Sequence, residues 1–294
     1  MRNASRAGSR SAGSDRFFAS PRIWKASACA LCAAVLAANA WYLSRDFRPP
    51  SFDDAWYLEI SFRLFNALKH GLPAFAVEYA SAFRIKAPLI SLLPLPLYAL
   101  FGAGERVALW ANLAALGAAC AAVHAAARAL WPSHPRRDAI AALAAALTAL
   151  VPLLYGLSRF FLVEPILTAL VAAAVWGGAA TAKDDRRAGA RLGALLGLGL
   201  LAKILFPLYL AGPVWRRRKE LRPHLKTALL IAVPLAATWY AFNLPYVLGF
   251  AWSAGFGKIA ADYAGAAHGF GARLLAFSSM LLGGALSWPL PMTM

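Results

Sequence analysis

Between Ala26 and Leu248 the chain passes through one apolar run after another. Most are close to the ~20 residues that carry a helix across a ~30 Å hydrocarbon layer. Of the 294 residues 61% are hydrophobic and 15% charged, more apolar surface than a core in water can enclose, so lipid must cover much of it. The fold class that follows is all-α, a polytopic transmembrane helical protein with about 7–8 spans. The apolar runs place spans at Ala26–Leu43, Val107–Leu130, Ala139–Gly156 and Leu162–Ala182. A pair follows within Leu192–Trp215, then Thr227–Leu248 and a last one at Leu274–Trp288.

The net charge of +17 sits in short clusters between apolar runs, not along one soluble face. That distribution excludes nucleic acid as the partner and marks topology determinants and contacts with membrane lipids. Residues 1–25 lack an apolar run and read as a disordered basic tail kept in the cytoplasm. A cleaved signal peptide ending near Ala38-Asn39-Ala40 is the alternative for this end. The run from Pro88 to Phe101 is short for a span and interrupted by Pro94 and Pro96, so it counts as re-entrant or interfacial. With that count the basic loops His134–Arg137, Lys183–Arg191 and Arg216–Lys226 all fall on the side of the tail. Trp24, Trp41, Trp131, Trp215 and Trp252 lie near segment ends, as interfacial anchors do.

The opposite face then gathers the stretch Ser51–Ile60, the loop Ser158–Pro165, the turn at Ala202-Lys203 and the segment after Gly249. Two adjacent acids, Asp53 and Asp54, follow the first span directly. A helix beginning near Phe52 with Ser51 at its N-cap puts both in the first turn, where the macrodipole favours them. Tyr57, Ile60, Leu64 and Leu68 recur at helical spacing opposite Glu59, Arg63 and Lys69, which predicts a helix lying on the membrane surface. Glu164 before Pro165 is likewise a good helix start in its own right. Cys29 and Cys32 have CxxC spacing but lie inside an apolar run, as small packing residues. His70, His124 and His268 lack ligand spacing, and Gly255–Gly271 reads as a loop.

These residues resemble the polytopic glycosyltransferases of the GT-C superfamily, closest to the protein mannosyltransferases and the aminoarabinose transferase of lipid A. The family's acidic pair and following aromatic look like Asp53-Asp54-Ala55-Trp56-Tyr57. Its Lys/His-Pro-Pro-Leu motif before an apolar stretch ending Phe-Gly is similar to Lys86-Ala87-Pro88-Leu89 through Phe101-Gly102, with Arg106 after it. Its later outer acid matches Glu164-Pro165, and its Gly-Leu-Ala/Leu-Leu-Thr-Lys motif resembles Gly199-Leu200-Leu201-Ala202-Lys203. Ala87, Glu164 and Ala202 depart from the commoner Pro, Asp and Thr. The resemblance covers roughly residues 26–248, and members usually continue into a larger C-terminal region. A chain ending at Met294 is therefore expected to be a truncated product, a fragment or a reduced member.

The resemblance implies transfer of a sugar from a polyprenyl-phosphate donor to a lipid, glycan or protein acceptor on the outer face, with inversion. The residue chemistry agrees. A hydroxyl acceptor needs a carboxylate base, for which Asp53 is the candidate, with Asp54 positioning the acceptor or holding a divalent metal, alone or with Glu164. A departing phosphate needs cations, Lys203 first, then Arg159, Lys86 and Arg106, while Tyr57 and Glu164 complete the substrate-binding set. A divalent metal is the one cofactor this reading leaves open. Against this stand a transporter for a lipid-linked anion and an inactive truncated scaffold. The first would place charges at mid-membrane depth and repeat its halves, whereas here the charges crowd segment ends without an internal repeat.

Overall fold

The computed structural model describes residues 21–46, 48–50, 52–180 and 187–256, together with Leu275 and Ser278. Every regular element among the described residues is helical. Helix α1 (Pro21–Arg45) is followed by α2 (Asp53–Lys69) and α3 (Leu72–Ser81), then by the short α4 (Leu89–Leu92) and α5 (Leu95–Phe101). Next come α6 (Glu105–Leu130), α7 (Arg137–Leu150), α8 (Pro152–Leu157) and α9 (Glu164–Ala179). Helices α10 (Ala188–Ala202), α11 (Phe206–Arg216) and α12 (Arg218–Phe256) complete the set. By length and composition α1, α6 and α12 can each cross a membrane, and the shorter α9 and α10 are apolar as well.

Proline sets several of the helix boundaries, expected and unexpected alike. The Pro88–Phe101 run breaks at Pro94 into α4 and α5, each far shorter than the ~20 residues of a span. The stretch expected as one span from Ala139 to Gly156 instead breaks at Val151, where Pro152 opens α8. The first helix starts earlier than Ala26, at Pro21. Helix α12 carries Pro223, Pro234 and Pro245 inside it. Their spacing is three helical turns, so all three lie on one face, and all three are exposed. The missing N–H groups are therefore turned away from the packed side. Residues 1–20 of the tail expected over 1–25, the span at 274–288 apart from Leu275 and Ser278, and the loop residues Lys258, Asp262 and His268 lie outside the described residues.

Packing runs α1 to α7, α7 to α6, α6 to α9, α9 to α10 and α10 to α12. The last seam is set by glycine. A Cβ at Gly193 would stand 2.5 Å from the Ala228 carbonyl oxygen, and one at Gly197 would stand 2.8 Å from the Leu235 side chain. Lipid gives no hydrophobic drive between helices, so close backbone approach of this kind supplies the attraction. Gly193→Ala is expected to force the helices apart and lower stability by about 1–3 kcal/mol. Gly212→Ala, with nothing within 4 Å of the new Cβ, is the matched control. Thermal unfolding of the two variants in one detergent checks the difference.

The largest core cluster lies at one end, around Leu64, Ile90, Phe161, Phe206 and Trp239, all fully buried. Helix α2 contributes Tyr57, Ile60 and Leu64 to it and turns Glu59 and Arg63 to the outside, as the periodicity predicts, although Leu68 is exposed. The residue preceding α2 is Phe52, with φ 53° and an exposed ring, while Ser51, expected at the N-cap, lies outside the described residues.

Candidate active site

Four segments far apart in sequence converge above that core on a cavity of about 430 Å³. Asp53 and Tyr57 come from α2, Lys86 from the turn before α4, Glu164 from the start of α9, and Lys203 from the end of α10. The opposite wall is apolar, with Val247, Phe250 and Ala251 of α12. Its volume falls within the roughly 300–1,000 Å³ of small-molecule sites.

The Lys86 ammonium stands 2.5 Å from Asp53 Oδ1 and over the rings of Trp56 and Tyr57, at 5.0 and 5.3 Å. With Asp53 45% exposed, such a pair contributes only about 0–1 kcal/mol to folding. Its effect is orientation, fixing the carboxylate at the cavity mouth. Lys86 is delivered by an unusual bend, since Phe83 and Arg84 both have positive φ, at 58° and 57°. Non-glycine residues keep such a conformation only when their surroundings enforce it. Helix α12 does so here. Trp239 donates from Nε1 to the Ala82 carbonyl at 3.0 Å, and Asn243 from Nδ2 to the Ala80 carbonyl at 2.7 Å. Phe83 closes the bend with its ring edge against Trp56 and Tyr57.

Lys203 occupies the reversal between α10 and α11. Its N–H donates to the Gly199 carbonyl and its own carbonyl accepts from Phe206, both at 2.9 Å. The reversal requires glycine at 199, because a Cβ there would stand 2.2 Å from the Phe206 ring. Lys203 Nζ lies 3.6 Å from Glu164 Oε1, longer than the ~2.7–2.9 Å of a tight charge-assisted bond. The ammonium therefore keeps donors for a third group. Tyr57 points the other way electrostatically. Its burial, helped by the Asp53 and Glu164 carboxylates, pushes its hydroxyl well above the ordinary range, so it remains a neutral donor.

Asp54, Arg106 and Arg159 are not in this cavity. They line a separate one of about 220 Å³, with Asp46, Arg48 and Glu105. Consecutive residues on a helix point about 100° apart, which sends Asp53 and Asp54 to different sides of α2. Arg159 is held there, donating from Nε to Asn39 Oδ1 at 2.9 Å and from Nη2 to the Tyr155 hydroxyl, with the rings of Tyr42 and Tyr155 close against its guanidinium. Arg48 grips Asp46 at 2.8 Å and holds that carboxyl well below the usual carboxylate range. Asp54 and Glu164 thus line different cavities and cannot share one ion. Among the described residues no group of three His, Cys, Asp or Glu is placed to hold a metal.

Sequence reading missed the residues that aim these segments. Asn39 donates to Ser158 Oγ at 3.0 Å, and Asn112 donates from Nδ2 to the carbonyls of Phe160 (2.5 Å) and Leu162 (3.1 Å). The available signal was an asparagine inside an otherwise apolar helix, which is costly unless it has a bond to make. Asn112→Leu is expected to lower stability by about 1–2 kcal/mol and to loosen the turn before Glu164, measurable as faster proteolysis within residues 157–163. Tyr240, which lines the cavity and donates to the Leu200 carbonyl at 2.8 Å, carried no motif.

Comparison with curated proteins and with solved structures finds no match. The family model described as dolichyl-phosphate-mannose-protein mannosyltransferase matches residues 85–242. That segment begins at the bend delivering Lys86 and takes in Glu164, Lys203 and Tyr240. Because the match spans more than half of the 294 residues, the chain belongs to the dolichyl-phosphate-mannose-protein mannosyltransferase family.

Proposed function

We propose that this GT-C-type membrane glycosyltransferase moves a sugar from a polyprenyl-phosphate donor to the hydroxyl of a lipid, glycan or protein acceptor, with inversion at the anomeric carbon. The observation that carries the reading is the convergence of Asp53, Lys86, Glu164 and Lys203 on one cavity with an apolar wall. Asp53 accepts the acceptor's proton as the acceptor oxygen bonds to the anomeric carbon. The bond from that carbon to the phosphate oxygen breaks, and its electron pair leaves on the phosphate. Lys203 lies where the growing phosphate charge needs a cation. Lys86 holds Asp53 in place, Tyr57 donates a hydrogen bond to the substrate, and Glu164 orients it beside Lys203. Asp54, Arg106 and Arg159 act from the neighbouring cavity by holding α2, α6 and the 158–161 turn in register. The wall from α12 accommodates the first isoprene units of the donor.

The basic clusters between apolar runs support a cytoplasmic N-terminus, and on this reading the cavity faces the outer side of a bacterial plasma membrane. Membranes containing the protein, incubated with radiolabelled polyprenyl-phosphate sugars, test the reading. Label should reach an endogenous acceptor with wild type and not with Asp53→Asn. A correctly inserted wild type that turns over no such donor would leave the reading without support.

A further inference from the structure

A second large cavity, about 650 Å³, lies at the other end of the bundle. Helix α9 runs from Glu164 at the catalytic cavity to Ala179 at this one, and α10 returns from Leu192 here to Lys203 there. Sixteen helical residues separate the two along α9, ~24 Å of rise. The inner walls are small and apolar, Ala174, Val175, Gly178 and Leu210 among them. Trp131 lines the mouth and Trp215 adjoins it, both exposed at helix ends, as tryptophans at headgroup depth are. Just beyond them stand Arg216 and Arg217. Arg217 is engaged by Glu220, with Nε to Oε2 at 2.5 Å, whereas Arg216 is exposed and meets no carboxylate among the described residues. From Arg216 to Lys226 the sequence sets six Arg and Lys against one Glu. An apolar slot rising from headgroup depth into the hydrocarbon, with a cation at its mouth, has the polarity of a single anionic amphiphile.

We infer that this cavity binds one anionic phospholipid, its acyl chain along Ala174, Gly178 and Leu210 and its phosphate on Arg216. The occupant is drawn from the leaflet opposite the catalytic cavity, so this site is separate from the donor site. A phosphatidylglycerol headgroup satisfies the charge, and a zwitterionic phosphatidylcholine brings a quaternary ammonium into a region already strongly positive.

Native mass spectrometry of the purified full chain, titrated with dioleoyl phosphatidylglycerol or dioleoyl phosphatidylcholine, tests the assignment. One phosphatidylglycerol should be retained in preference to phosphatidylcholine. Arg216→Gln should weaken that binding roughly fivefold, the effect of one headgroup charge contact, without changing thermal stability in lipid-free detergent. Arg222→Gln, which removes an exposed charge outside the cavity, should leave the preference intact. Narrowing the slot by Gly178→Val should weaken both lipids. Equal retention of the two phospholipids would overturn the proposal. So would equal effects of Arg216→Gln and Arg222→Gln, which indicate diffuse surface attraction, or displacement of phosphatidylglycerol by equimolar polyprenyl monophosphate.

Discussion

Replacing Asp53 with asparagine is expected to slow sugar transfer by about 10²- to 10⁴-fold, the usual contribution of a positioned base, while the protein still folds and inserts. Asparagine keeps the shape of the side chain and its place in the first turn of α2. It loses the charge that accepts a proton and the ion pair with Lys86. Because that pair is solvent-accessible, its loss costs the fold about 0–1 kcal/mol, too little to explain a large fall in rate. Turnover and thermal stability measured on the same preparation separate the two effects. Equal turnover by the variant would remove Asp53 as the base. Asp54→Asn is predicted to act in the opposite pattern, since Asp54 is buried at the other cavity and its effect should appear first in stability.

Lys203→Ala is expected to lower kcat by about 10²- to 10³-fold, the cost of removing one charge-stabilising donor from a developing anion. The phosphate gains negative charge as the glycosidic bond breaks, so the loss belongs mainly in kcat and less in KM. A lysine serving only to reach the headgroups would give another result, with turnover unchanged after truncation. Lys203→Arg should recover part of the rate, because the charge returns with a different donor geometry. Single-turnover measurement at saturating donor distinguishes these outcomes.

Much of this was legible in the sequence because membrane proteins write burial and charge plainly. The phase of Tyr57, Ile60 and Leu64 predicts the buried side of α2, and two prolines predict that the Pro88–Phe101 run does not cross. The grouping of Asp53, Tyr57, Lys86, Glu164 and Lys203 followed from counting crossings and from the resemblance, and the cavity brings those five together. The division that puts Asp54, Arg106 and Arg159 elsewhere was not seen, though the 100° step between neighbours on a helix contains half of it. The bend at Phe83-Arg84 was illegible for a different reason. Its positive φ values are imposed by Trp239 and Asn243, more than 150 residues away, and no glycine announces them.

The three prolines of α12 have a mechanical consequence. Each removes one rung of the helical ladder, leaving the carbonyls of Lys219, Leu230 and Ala241 without their usual donor and making the rod easier to bend at those points. The glycine seam ties Thr227–Leu235 to α10, and the grip on the Ala80–Ala82 turn comes from Trp239 and Asn243. Pro245 lies beyond both, immediately before the stretch Val247–Ala254 that walls the cavity of Asp53 and Lys203. Compliance is thus concentrated between the fixed part of the helix and the wall. For the polyprenyl-phosphate donor proposed above, a wall hinged in this way would yield toward lipid and admit the tail sideways while the lysines and carboxylates keep their places.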